Sequence, residues 1–238
     1  MRTSSLRRVM TVVAVGLVFA SGPMANVQAA DNATAAPAVH TLYLVRHGSY
    51  VADPKANPET GPALTPLGIA QARLIAARLR GMPAHFDSIT SSTLTRAIQT
   101  AAVIREQFPA VPGSSNALLT ECTPPAAVEL GESAAKQSAC KQRLDEAFGK
   151  FFTPPAGVDR NDVLVCHGNV IRYLVTRALG VDTRAWVGMS VAHASVTIIQ
   201  VRADGATRVI AVGDVGHMPP NLQSWGTDED PQLTIHVQ

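Results

Sequence analysis

Short apolar runs bounded by turn residues alternate with longer segments of helical period along most of this chain. "TLYLV", residues 41–45, reads as a buried strand. "LTPLGIAQARLIAARLRG" follows with helical period: Thr65 is a good N-cap, Pro66 suits the first helical position, and Gly81 ends the segment. Leu67, Ala70, Leu74 and Ala77 are expected to line its apolar face. "HFDSITSS" predicts a short strand, and "TLTRAIQTAAVIREQF" the helix after it. Beyond a Pro/Gly/Ser break, "NALLTE" predicts the end of a strand, and a helix is expected from about Glu132 to Phe152. "DVLVCHGNVIRYLVTRALG" is a second strand–turn–helix unit, whose helix is apolar on most sides and therefore expected to be buried. "SVTIIQVRADGATRVIAVG" alternates like a β-hairpin with Asp204-Gly205 at its turn. Strands alternating with helices predict an α/β fold, with helices on both faces of the sheet and a hairpin at one edge.

The first residues stand apart from this pattern. Arg2, Arg7 and Arg8 precede an apolar run from Val9 to Ala20, and Val27-Gln28-Ala29 has the small-residue spacing of a cleavage site. The run is shorter than the roughly 20 residues that span a bilayer. Residues 1–29 are therefore read as a cleaved signal peptide, 30–40 as a flexible tether and 41–238 as the folded domain. A periplasmic or secreted protein without a stable membrane anchor is expected. A mitochondrial transit peptide fits less well, because the apolar block is continuous rather than amphipathic. Residues 1–29 hold three arginines and no acids, so their removal takes the formal charge from +2 to −1. No global positive field remains to bind nucleic acid. Three cysteines, Cys122, Cys140 and Cys166, permit one disulfide. Cys122–Cys140 is the expected pair, since Cys166 ends an apolar strand; three free thiols are the alternative.

Candidate chemistry gathers at the strand ends. Arg46-His47-Gly48 follows the first strand, His167-Gly168 follows the strand ending at Cys166, and Arg96 falls in the first turn of the helix after "DSIT". Ligands of open α/β sheets bind beyond the carboxyl ends of the strands, so these groups are expected to converge. Forked guanidiniums match the oxygens of a phosphoryl group, and helix N-termini after His167 and around Arg96 add N–H donors. Cationic neighbours disfavour an imidazolium, so His47 is expected to be neutral and able to attack phosphorus, forming a phosphohistidine. His167 and the arginines would stabilise charge on the equatorial oxygens. Gly48 is expected to let the backbone approach the phosphoryl group. With the cations supplied by side chains, neither a metal nor a cofactor is expected, and the His and Cys spacings match no zinc site. His40, His85 and His236 read as surface residues.

"LVRHG", "LTPLGIAQA", "SSTLTRAIQTA" and "VLVCHGNVIRYLV", in that order, resemble the histidine phosphatase superfamily, in its phosphoglycerate mutase-like branch. The resemblance runs from about Thr41 to Pro220. It implies a three-layer α/β/α sandwich around a mostly parallel sheet, with His47 as nucleophile and Arg46, Arg96 and His167 as the phosphate pocket. "LLTEC" matches the pattern that carries the family's proton donor, which implies that role for Glu121; Glu132 is the second candidate. Ser49 and Tyr50 stand where many relatives carry glutamate or threonine, and are expected at the pocket rim. His193 and His217 are also placed at the rim, with a structural hydrogen bond the competing role for His193. "CHGNVIRYLVTRAL" and "GDVGHMPP" are similar to segments of the family's serine/threonine protein phosphatases. The implied activity is hydrolysis of a phosphorylated protein or small phosphate ester. A mutase-type phosphotransferase and a non-catalytic phosphate-binding module are the alternatives.

Overall fold

The computed structural model describes residues 37–226. The signal-like segment 1–29, residues 30–36 and His236 lie outside them. A six-stranded sheet is built from β1 (Val39–Arg46), β2 (Ser88–Ser91), β3 (Gly113–Ser115), β4 (Arg160–Cys166), β5 (Val196–Arg202) and β6 (Thr207–Asp214). The spatial order is β3-β2-β4-β1-β5-β6. β1, β2, β3 and β4 run parallel, while β5 pairs antiparallel with β1 and β6 with β5. The hairpin therefore closes one side of the sheet with β6 at the edge, and Gly205 takes the left-handed turn position at φ +80°.

Alternation along the central strands feeds two cores. Leu42 and Leu44 of β1, with Leu164 and Cys166 of β4, pack on α3 (Ala134–Phe151) and α4 (Gly168–Leu179). Tyr43 and Val45, with Val163 and Val165, pack on α1 (Pro66–Arg80) and α2 (Thr95–Arg105). Successive side chains of a strand point to opposite faces, so both cores follow from one apolar run per strand. The chain thus forms the three layers its pattern predicts. α4 is buried on most sides, as expected, and ends at Gly180 with φ +67°.

Local expectations are corrected at four places. The buried face of α1 is Gly68, Gln71, Ala72, Ile75, Ala76 and Leu79, not the stripe from Leu67 to Ala77. That rotation turns the bulk-free Gly68 and the amide of Gln71 inward, where the loop after β1 uses both. Strand β3 precedes "NALLTE", which instead forms a 3₁₀ turn at Ala117–Leu119 because the Asn116 side chain accepts Leu118 N–H. β1 begins at Val39, inside the expected tether. His40 is buried rather than on the surface: its ring nitrogens reach Thr153 O at 2.8 Å and Asp162 Oδ2 at 2.9 Å. Burial alone would raise the Asp162 carboxyl pKa, but hydrogen bonds from His40 and Ser88 and the charge of Arg160 hold it below its ordinary range. His85 is exposed.

Candidate active site

The parallel register brings the two histidines together. Arg46 is paired with Cys166, so the next residues, His47 and His167, leave β1 and β4 side by side, with His47 N–H donated to Cys166 O at 3.0 Å. Their ring centroids lie 5.0 Å apart. Ser92, one residue beyond β2, places its Oγ 2.7 Å from His167 Nε2. Arg96, on the first turn of α2, donates Nε–H to His47 Nε2 at 3.2 Å.

Hydrogen bonding selects one tautomer of His47. Its Nδ1 lies 2.8 Å from the Gly48 carbonyl oxygen, which only accepts, so Nδ1 carries the proton and Nε2 presents its lone pair. Burial, then the charges of His167, Arg46, Arg96 and His193, hold its pKa well below 6.5. The ring is neutral at pH 7. His167 is held low in the same way, by burial first and then by Arg96, Arg46 and Arg143. Its Nδ1 is buried without a hydrogen-bond partner among the described residues.

The arginines approach from different elements. Arg46 Nη1 donates to Val191 O at 2.6 Å and to Trp225 O. A Cβ at Gly168 would lie 3.6 Å from Arg46 Cζ, so this guanidinium sits against the start of α4. Arg96 is buried and its Cζ stacks 4.6 Å from the Tyr50 ring centroid. Neither α2 nor α4 has a side-chain cap, which leaves their leading amides to other acceptors.

Gly48 has a steric role of its own in the fold. Its N–H is donated to Thr100 Oγ1 at 3.0 Å. A Cβ there would meet Gly68 O at 2.4 Å, and one at Gly68 would meet Ser49 O at 2.1 Å. The two glycines let the loop press on the first turn of α1. Ser49 adds backbone support, its N–H reaching Gln71 Oε1 at 2.8 Å and its carbonyl accepting Thr65 N–H at 3.0 Å.

Glu121 follows the 3₁₀ turn and is clamped from both sides. Arg143 Nη2 of α3 donates to Thr120 O at 2.7 Å, Asn169 Nδ2 of α4 donates to Cys122 O at 3.1 Å, and a Cys122–Cys140 disulfide ties the segment to α3. Its carboxyl shares a cavity with Arg46, Asn169, Arg172 and Ser190. Burial raises its pKa; Arg46, Arg96, Arg172 and the Cys122 amide pull it back, with a net rise. Glu132 stands apart, bonded to Ser133 N–H and paired with Lys136 at 3.3 Å. Cys166 is free and buried, and burial pushes its thiol pKa up, so it forms no thiolate pair with His167.

The rim residues divide. Tyr50 stands edge-on to His47, centroids 5.3 Å apart. His193 is not at a rim but in the wall: it is 1% exposed and its ring centroid is 5.4 Å from that of His47. His217 is not at the pocket mouth. Its Nε2 donates to Ala194 O at 3.0 Å, beside the loop that carries His47. Ala194 donates its N–H to both Arg46 O and His47 O at 3.1 Å, and does so from a left-handed φ of +52°. That conformation costs an alanine about 1 kcal/mol. Among the described residues no cluster of three or more His, Cys, Asp or Glu is arranged to hold a metal ion.

The sequence model of the histidine phosphatase superfamily (branch 1) matches residues 42–157 and 121–214. The chain belongs to that superfamily. Curated relatives of this histidine phosphatase include the mitochondrial serine/threonine-protein phosphatase Pgam5 of Caenorhabditis elegans. It is 34% identical over 205 residues, covering 80% of this chain and 68% of that one. Human mitochondrial PGAM5 is 33% identical over 200 residues, covering 78% and 66%. Among solved structures, a Plasmodium falciparum phosphoglycerate mutase superposes with a TM-score of 0.56 at 24% identity, covering 76% of this chain and 95% of that one. An Entamoeba histolytica phosphoserine phosphatase gives 0.55 at 18%, covering 76% and 100%. These two establish the fold.

The mitochondrial relatives overturn the expectation that this histidine phosphatase is periplasmic or secreted. Among the described residues no helix is long and apolar enough to cross a membrane. Several residues that build the site escaped the sequence reading. Asn169 and Arg172 share a face of α4 at i and i+3 from each other, a spacing that was available to be read. Ser92, Gln71 and Ser224 carried no such signal, since their partners lie far along the chain.

Proposed function

We propose that this protein hydrolyses phosphomonoesters through a covalent phosphohistidine on His47, without a metal ion. The observation that carries the reading is the His47 ring: Nδ1–H is committed to a carbonyl, so the lone pair is on Nε2, where Arg96 Nε–H donates to it until an incoming phosphoryl group takes that place. In the first step Nε2 attacks phosphorus, the phosphorus–oxygen bond to the leaving group breaks, and the departing oxygen takes a proton from Glu121. Arg46, Arg96 and His167 hold the equatorial oxygens and offset their charge, the office a metal ion fills elsewhere. In the second step water attacks phosphorus and gives its proton to the Glu121 carboxylate. The nitrogen–phosphorus bond breaks, Nε2 regains its lone pair, and inorganic phosphate leaves.

The raised pKa of Glu121 supports its role, because it favours the protonated form that the first step requires. A phosphoprotein substrate is proposed from the relatives, which are named as serine/threonine-protein phosphatases and align over about four-fifths of this chain. The test is a phosphate-release screen over phosphoserine and phosphothreonine peptides and small phosphate esters, with His47→Ala as control and EDTA in a parallel arm. Release from the peptides, lost in His47→Ala and indifferent to EDTA, is expected. Isomerisation of a phosphorylated substrate without phosphate release would point to a transferase instead.

A further inference from the structure

His193 takes no part in the mechanism above, yet it lies against the nucleophile and within reach of Tyr50, at ring-centroid distances of 5.4 and 6.2 Å. Its Nδ1 is 2.9 Å from Ser224 Oγ, and its backbone N–H is donated to Ser224 O at 2.8 Å. Its Nε2 is buried and has no hydrogen-bond partner among the described residues. Leaving a buried polar nitrogen unpaired is costly, so a ligand that pairs with it recovers that penalty.

A chain of hydrogen bonds bears on the proton at that nitrogen. Ser49 N–H is a donor, so the atom of Gln71 that faces it, at 2.8 Å, is the amide oxygen. Gln71 Nε2 then donates to Leu222 O at 2.7 Å and to Ser224 Oγ at 2.9 Å. Ser224 Oγ accepts from Gln71 and has one proton of its own, and His193 Nδ1 lies in reach of that proton. With Ser224 donating, Nδ1 accepts and Nε2 bears the hydrogen. Gln71 and Ser224 link the loop that carries His47 to this tautomer of His193. Burial and the charges of Arg46 and Arg96, against a hydrogen bond to the Ser224 backbone, push the pKa of this ring down to about 3, so it is neutral throughout the neutral range.

We infer that His193 donates Nε2–H to an oxygen of the phosphoryl group attached to His47, as a catalytic residue beside Arg46, Arg96 and His167. The inference rests on the proposed phosphoryl chemistry at His47. Ser224 and Gln71 act through His193 and are positioning residues. A hydrogen-bond donor aimed at developing phosphoryl charge is worth on the order of 100-fold in rate.

Two substitutions separate a donor from a structural ring. His193→Asn keeps an atom at the Nδ1 position for Ser224 and removes the donor at Nε2. His193→Gln keeps a donor near the Nε2 position. Loss of about 100-fold in kcat/KM for His193→Asn, with His193→Gln within about 10-fold of the unaltered protein, is the expected result. Equal losses in both, or no loss in His193→Asn, would overturn the inference. A second arm needs no turnover, so failure of the His47 chemistry leaves it readable. Long-range ¹H–¹⁵N spectra of the intact protein should show His193 as the Nε2–H tautomer, with that resonance shifting on addition of inorganic phosphate. An Nδ1–H tautomer, or a resonance indifferent to saturating phosphate, would overturn it equally.

Discussion

At the scale of single residues, the proposed mechanism asks opposite things of Glu121 and His47. One must hold a proton and the other must not. Burial serves both, since it raises a carboxyl pKa and lowers an imidazole pKa. Glu121→Gln should lower kcat on alkyl phosphates by about 100-fold or more, the usual worth of a general acid, and much less on aryl phosphates whose leaving groups need no proton. A single substrate series, plotted against leaving-group pKa, reads this directly. Because His47 stays neutral in acid, the low-pH limb of kcat/KM should fall below pH 6.5, the ordinary imidazole value, and the high-pH limb should vanish in Glu121→Gln.

At the scale of elements, the site depends on two fasteners. The first is the Gly48–Gly68 contact between the loop after β1 and α1. Gly48→Ala would drive a Cβ into a backbone carbonyl that no rotamer change can move aside. A loss of about 3 kcal/mol in urea unfolding is expected, with a larger loss of turnover than the stability change explains. The second is the Cys122–Cys140 disulfide, which closes a separation of 18 residues and anchors the segment bearing Glu121 to α3. Cys140→Ser should cost about 3 kcal/mol and depress kcat on poor leaving groups more than on good ones. Unchanged turnover on both would detach the disulfide from the position of Glu121. This scale also marks what was legible beforehand. The strand–loop–helix units carrying His47, Arg96 and His167 were readable because local periodicity and strand-end placement dictate them. The buried face of α1 was not, because Gln71 is turned inward by partners at Ser49, Leu222 and Ser224 rather than by its own apolarity. His40 was misread for the same reason: its burial depends on Asp162, far away in sequence.

At the scale of the molecule, the pocket makes stability depend on pH. His47, His167 and His193 all have pKa values lowered by folding. Below 6.5 the unfolded chain takes up protons that the folded protein refuses, so each ring removes up to about 1.4 kcal/mol per pH unit as pH falls. Glu121, with its raised pKa, opposes them by one group at most. Urea unfolding at pH 7 and at pH 5.5 should therefore show a loss of a few kcal/mol at the lower pH, and the His193→Asn protein should lose less. A flat profile would mean that these rings are accessible to protons in the folded state. The gross architecture, three layers with a closing hairpin, was readable from alternation alone. The location of the protein was not: an arginine-led apolar segment pointed to export, and the mitochondrial relatives point away from it.

The central claim is that a phosphoryl group passes through His47 Nε2. Rapid acid-free quenching of the enzyme during turnover of a ³²P-labelled phosphate ester tests it most directly. The expected result is a covalent phosphoenzyme, stable in base and labile in acid, that maps to His47 and is absent in His47→Ala. Turnover in the unaltered protein with no such species, or its survival in His47→Ala, would contradict the account.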